Sequence, residues 1–249
     1  MKCGFLVGIN YTGSPAQLNG CIEDINNAKN MLSSVLGYTN FIVLSDTSNL
    51  LPTRQNIINE LTKLVNDSNK YSEIWIHYSG HGTFVTDVNN DESDKRDECL
   101  VPIDYAVNGI IRDDELNEII KNIKCRTRIV LDCCYSGSGF DLEYNAILNY
   151  SNKQIIGYKE QSKQILNRNI IMLSGCKDTQ TSAEIYNDAS KTFQGILTVN
   201  LCAILKKYQY KLTIKNLLQF LYKSLLGYQQ HPVLSSTIKI NVNQKFLIK

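Results

Sequence analysis

No apolar run in this 249-residue chain approaches the length needed to cross a membrane. Neither sign of charge prevails: the net charge is +2, and no basic patch gives ground for a nucleic-acid partner. Lysines and glutamates scatter along helical stretches as solvated faces. No internal repeat is visible. The start, Met1-Lys2-Cys3-Gly4-Phe5, already reads as a strand and is too short for a signal peptide. The eight cysteines include no CxxC pair. Without a secretory leader, a disulfide framework is not expected, and a reducing, cytoplasmic setting fits better. A zinc site is not expected either, because Cys133 and Cys134 are adjacent and no second pair lies at ligand spacing. Cys3, Cys99, Cys125 and Cys202 read as small buried apolar residues.

The patterning present is that of one α/β domain. Residues 3–9 read as a buried strand. Ile22, Ile25, Ala28, Leu32 and Val35 recur at helical spacing over 20–36. Phe41 to Leu44 reads as a second strand, and Thr53 as the cap of a helix carrying Ile57, Leu61, Leu64 and Val65. Ile74 to Tyr78 is a third strand. Thr83–Val88 and Cys99–Ile103 form a ribbon around an acidic loop. Asp113 or Asp114 is the expected cap of a helix with Leu116, Ile119, Ile120 and Ile123. Ile129–Leu131 and Ile170–Leu173 are further strands. Thr192–Lys207 and Thr213–Leu226 are two more helices, with a strand near Ile238–Val242. Tyr144 to Asn169 is polar and aperiodic and reads as a mobile connection. Strand and helix alternate, so the sheet should be mainly parallel with helices on both faces.

Two segments carry chemistry. Ile74-Trp75-Ile76-His77-Tyr78-Ser79-Gly80-His81-Gly82 and Ile129-Val130-Leu131-Asp132-Cys133-Cys134-Tyr135-Ser136-Gly137 are β-branched runs that break off at glycine-flanked reactive residues. Parallel strand ends meet outside the carboxyl edge of a sheet, where ligands bind. An imidazole and a thiol offered to one crevice are the parts of an activated nucleophile. His81 stands about 50 residues upstream of Cys134, the caspase-type order. Taken singly, His81 is equally a backbone-bonding turn residue and Cys134 equally a core cysteine. Cys133 is the rival nucleophile, but strand alternation lets only one of the pair face His81. His77 reads as packed in or beside the sheet, and His231 as structural or near the substrate.

These segments resemble the metacaspase branch of the caspase-like cysteine peptidases. The resemblance continues through Gly20-Cys21-Ile22-Glu23-Asp24, Leu100-Val101-Pro102-Ile103-Asp104, Asp113-Asp114-Glu115-Leu116, Ser174-Gly175-Cys176-Lys177-Asp178 and Gln229-Gln230-His231-Pro232-Val233-Leu234-Ser235. It implies a caspase-like three-layer sandwich with a large-subunit-like part (1–143), the mobile connection (144–169) and a small-subunit-like part (170–249). No N-terminal proline-rich or zinc-finger extension is expected. It selects Cys134 as nucleophile, two after Asp132, and His81 as its base, with the amides of Gly82 and Cys134 as the oxyanion hole. Cys133 and Tyr135 stand where the commoner family pattern has serine and histidine.

The resemblance further implies an acidic specificity pocket from Cys21, Asp24, Ser79 and Asp132, hence protein or peptide substrates cut after arginine or lysine. Read alone, Asp24 is equally a solvated acid in a helix's first turn. Asp87, Asn89, Asp91 and Glu98 echo a calcium loop, but Glu92 stands where glycine is needed and flanking helices are missing. The family instead implies calcium on Asp97, Asp113, Asp114 and Asp141, and a monomer. Lys153, Lys159, Lys163 and Arg168 in the polar connection are candidate self-cleavage points, the competing reading being plain solvated loop residues. The competing expectations are an inactive pseudo-peptidase that binds partners and a caspase-fold hydrolase of other specificity.

Overall fold

A computed structural model describes residues 1–87, 95–134, 139–149, 154–160, 169–175, 184–187, 192–228 and 230–247. The first half runs β1 (Lys2–Gly8), α1 (Cys21–Leu36), β2 (Asn40–Ser45), α2 (Arg54–Asn66) and β3 (Glu73–Ser79). A small antiparallel sheet follows, from β4 (Gly82–Thr86), β5 (Arg96–Leu100) and, after the single turn α3 (Tyr105–Asn108), β6 (Ile111–Arg112). Then come α4 (Asp113–Ile120), β7 (Arg126–Asp132), β8 (Tyr144–Asn149), β9 (Gln154–Glu160) and β10 (Ile170–Ser174). The hairpin β11 (Glu184–Asn187) and β12 (Thr192–Gly195) leads into α5 (Ile196–Lys207), α6 (Ile214–Leu225) and β13 (Val233–Ser236).

The main sheet has the order β2-β1-β3-β7-β10-β13-β8-β9. Its first five strands are parallel, and the last three join antiparallel. The chain steps from β1 to β2 on one side, then crosses back past β1 to β3. Right-handed crossovers in opposite directions put α1 and α2 on opposite faces. The direction reverses between β1 and β3, and in such sheets ligands bind outside the carboxyl ends of the parallel strands, where β3 and its neighbour β7 also end.

Both faces are apolar, as covered parallel strands require. Phe5, Ile76, Ile129 and Leu131 pack with Leu61 of α2 and Leu116 of α4. Leu6, Trp75 and Val130 pack on the other side with Leu32 of α1, Leu201 of α5 and Leu221 of α6. Helix, sheet and helix form the three layers. Polar exceptions are bonded. Arg128 of β7, 2% exposed, donates to the carbonyls of Thr127 (3.0 Å) and Phe246 (2.9 Å), tying the C-terminal tail under the sheet.

Four expectations change. The connection expected to be mobile supplies β8 and β9, because Ala146 and Tyr158 bury against the second core and Tyr158 Oη donates to Ile240 O at 2.9 Å. The last strand is Val233–Ser236, not 238–242; Ile240 is buried without a ladder. Thr192 lies in a strand, and α5 begins only after Gly195. Arg112, not Asp113 or Asp114, holds the N-cap position of α4, since Asp113 is already helical and its carboxylate accepts from Glu98 N (2.8 Å) and Asp114 N (2.8 Å).

Candidate active site

The crevice is built by adjacent strand ends. Ser79 closes β3 and Asp132 closes β7, and the two are register partners. Alternation then separates the cysteines. Cys133 continues the face of Ile129 and Leu131 and is 1% exposed in that core, whereas Cys134 follows Asp132 on the other face and is partly exposed. The chain leaving β3 touches the chain leaving β7 at Gly82. A Cβ on Gly82 would lie 2.0 Å from Cys134 O and 3.2 Å from Cys133 Sγ, so only glycine permits the approach. The turn Ser136-Gly137 lies outside the described residues.

His81 is held by groups that sequence reading missed. Its Nε2 lies 2.7 Å from the carbonyl oxygen of Ala16. A carbonyl only accepts, so Nε2 carries the proton and Nδ1 is left to exchange one. The His81 ring tilts over Tyr11, with centroids 4.8 Å apart. The His81 peptide is gripped at both ends: its N–H donates to Tyr11 Oη (3.0 Å), and its carbonyl accepts from Tyr78 Oη (2.8 Å) and Val101 N (3.2 Å). Burial pushes both tyrosine hydroxyls well above their ordinary pKa, so they remain donors. The tyrosines were present in the sequence, but nothing local distinguished them from core aromatics.

Of the four residues expected to form an acidic pocket, Asp24, Ser79 and Asp132 come together at the ends of β3 and β7. Asp24 and Asp132 are 0% and 4% exposed, so Asp24 is not a solvated helix acid. Ser79 Oγ donates to Asp24 Oδ2 at 2.6 Å, and Gly195 N donates to its Oδ1 at 2.8 Å. Thr198 N donates to Asp132 Oδ2 at 2.8 Å. Cys21 opens α1 with its amide bonded to Asn10 Oδ1 at 2.9 Å, and its side chain is buried. The acid pair thus also satisfies the first turn of α5, two of whose amides would otherwise be orphans. His77 is wholly buried and shares a hydrogen bond with Thr198 Oγ1 at 3.1 Å; burial lowers its pKa to about 3 and keeps the ring neutral. His231 stacks on Tyr222, with centroids 5.7 Å apart.

A second acidic cluster lies by the small sheet. One carboxylate oxygen each from Glu98, Asp113 and Asp141 falls within a span of 4.8 Å, and all three residues are buried. Burial first, then the charges of Asp141 and Glu98, push the Asp113 carboxyl up to about 9. Three crowded hard oxygens suit a hard divalent cation, which would discharge that repulsion. Asp113 and Asp141 were expected here. Asp97 lies outside the trio and pairs with Arg112 at 3.6 Å, and Asp114 also lies outside it; Glu98, named in the sequence only within the rejected loop pattern, completes the trio. Of the remaining cysteines, burial raises the thiols of Cys3, Cys99, Cys125 and Cys202, the last to about 12, so they stay protonated.

The mainly parallel sheet and three layers are those of the caspase-like fold. A family model described as "Metacaspase, peptidase C14 domain" matches residues 2–143. Metacaspase-1 of Debaryomyces hansenii is 31% identical, the match covering 99% of this chain and 67% of that protein. Metacaspase-1 of Saccharomyces cerevisiae is 32% identical over 98% of this chain and 68% of its own length. A crystal structure of protein GSU0716 from Geobacter sulfurreducens superposes with a TM-score of 0.68 at 21% identity, covering 100% of this chain and 99% of that one, which speaks for the fold. The chain belongs to the metacaspase family, and through it to the cysteine peptidases. No described helix is long and apolar enough to cross a membrane.

Proposed function

We propose that this chain is an endopeptidase that cuts after arginine or lysine, with Cys134 as nucleophile and His81 as its base. The observation that carries the reading is the contact of the two strand-end loops, where Gly82 abuts the Cys134 carbonyl beside a buried acid pair. His81 Nδ1 takes the Cys134 proton, and the thiolate adds to the scissile carbonyl carbon. The oxyanion is held by the amides of Gly82 and Cys134. Collapse breaks the C–N bond, and the imidazolium delivers its proton to the leaving amine. Water, deprotonated by His81, then splits the thioester and frees the new carboxylate. Asp24 and Asp132 attract a guanidinium or ammonium and reject a carboxylate side chain.

Calcium would be held by Glu98, Asp113 and Asp141, bringing positive charge that neutralises the trio and orders the segments around the crevice. In this reading the enzyme acts as a cytoplasmic monomer. Among the proposed self-cleavage points, Lys159 lies in the β8–β9 ladder opposite Asn145, while Lys153, Lys163 and Arg168 fall outside the described residues.

Fluorogenic peptides ending in arginine, lysine or aspartate test the reading, with calcium and with chelator. Expected is cleavage of the basic peptides only, dependent on calcium, and loss of at least about a thousandfold in Cys134→Ala with Cys133→Ala active. Cleavage after aspartate, or loss in Cys133→Ala instead, would overturn it.

A further inference from the structure

The acid pair is not free-standing, and what supports it comes from a part of the chain distant in sequence. Gly195 has φ −67° and ψ 136°, ordinary extended backbone that any residue adopts. Its lack of a side chain therefore needs another cause. A Cβ at Gly195 would lie 2.3 Å from Asp132 Oδ2 and 2.6 Å from Asp24 Oδ2. Both carboxylates thus close on one point above the Gly195 Cα, and any side chain there would drive them apart. The amide of the same glycine donates to Asp24, and that of Thr198, three residues on, donates to Asp132. One turn of helix therefore grips both acids. Behind that turn, the Thr198 hydroxyl is bonded to His77 on β3, and both residues are 0% exposed. Burial keeps the His77 ring uncharged, so it fixes the turn without neutralising the acids.

We propose that Gly195, Thr198 and His77 are positioning residues for specificity: the first turn of α5, braced from β3, sets the spacing and charge of Asp24 and Asp132 for a cationic substrate side chain. This rests on the proposed preference for arginine and lysine. The arrangement gives two buried carboxyl groups, side by side, hydrogen-bond donors of their own. Backbone amides at a helix N-terminus supply partial positive charge that no substrate has to displace in full. A bound guanidinium adds a full positive charge to the partial charge of the helix. Misplacement of either carboxylate weakens cation binding while leaving the thiol and imidazole untouched.

Three variants are compared with the wild type: Gly195→Ala, Thr198→Val and Thr198→Ser. Each is assayed on arginine peptides for kcat and KM, and Cys134 is alkylated with iodoacetamide as a probe that needs no specificity pocket. Gly195→Ala should lose about a hundredfold in kcat/KM with an unchanged alkylation rate. Thr198→Val should raise KM about tenfold at nearly constant kcat, and Thr198→Ser, which keeps the hydroxyl, should restore it. Wild-type kinetics in Gly195→Ala, or a Thr198→Val loss that falls in kcat and alkylation together, would overturn the proposal while leaving the basic preference standing. A wild type inert on both arginine and lysine peptides would overturn that preference, and this inference with it.

Discussion

His77 and His81 stand four apart on one strand and its exit, yet they are chemically opposite. His81 is half-buried and its ring is set by a carbonyl; His77 is sealed between the sheet and α5. The His77 ring accepts a proton only near pH 3 in the folded chain, against 6.5 when unfolded. As pH falls from 6.5 towards 3, the unfolded state takes up a proton that the native state refuses, so stability drops across that window and is level above it. Each unit is worth about 1.4 kcal/mol, a few kcal/mol in all. In denaturant titrations at pH 7, 6 and 5, His77→Gln should be less stable than wild type at pH 7 but lose less on acidification. Parallel pH slopes would refute this. The role of His77 beside the sheet was legible from its place in a buried strand. Glu98 was not: among the many acids of residues 87–98, only the ladder of β5 with β6 reveals which neighbour turns towards Asp113.

Elements with strong periodicity were read well, and those resting on long-range pairing were not. α2 begins where Thr53 predicted it, the side chain accepting from Asn56 N at 3.2 Å. Thr213 does the same for Asn216 N of α6 at 3.2 Å. α6 buries Leu217, Leu218 and Leu221 on one face. Thr213→Ala should cost about 1 kcal/mol by chemical denaturation, and Thr213→Ser close to nothing. By contrast, β8 and β9 offered no apolar alternation; they form because β13 presents an open antiparallel edge to β8. Residues 238–242 alternate like a strand, yet they join no ladder; Val242 O accepts instead from Lys215 N of α6 at 2.9 Å. Pairing of this kind is a property of the sheet, invisible in a local window.

At the scale of the whole molecule, the carboxylate trio joins three parts of the chain: β5 of the small sheet, the start of α4, and Asp141 beyond β7. A cation bound there favours only the assembled state. Calcium at about a hundred times its dissociation constant should therefore raise unfolding free energy by about 2.7 kcal/mol, read as a higher melting temperature that chelator reverses. Asp113→Asn should abolish the calcium response. In chelator it should be no less stable than wild type, because it removes one of three crowded charges. Identical melting with calcium and chelator would remove the cation from this account. The mainly parallel sheet with helices on both faces follows from hydrophobic runs and connection rules. The engagement of the acid pair by α5, at residues 195 and 198, depends on how the last helices settle back over β3 and β7, which no short motif encodes.

β7 is apolar towards both helical layers, so hydrophobicity alone would tolerate a one-residue slide along its neighbours. Arg128 and Asp132 forbid it. On the side they face, Arg128 bonds the C-terminal tail and Asp132 bonds Thr198, and a slide would strand a guanidinium and a carboxylate among Ile76 and Leu116. The same slide would exchange Cys134 for Cys133 at the crevice. Two charged residues thus act as the strand's alignment key, and through them the strand settles which of twin sulfurs it presents.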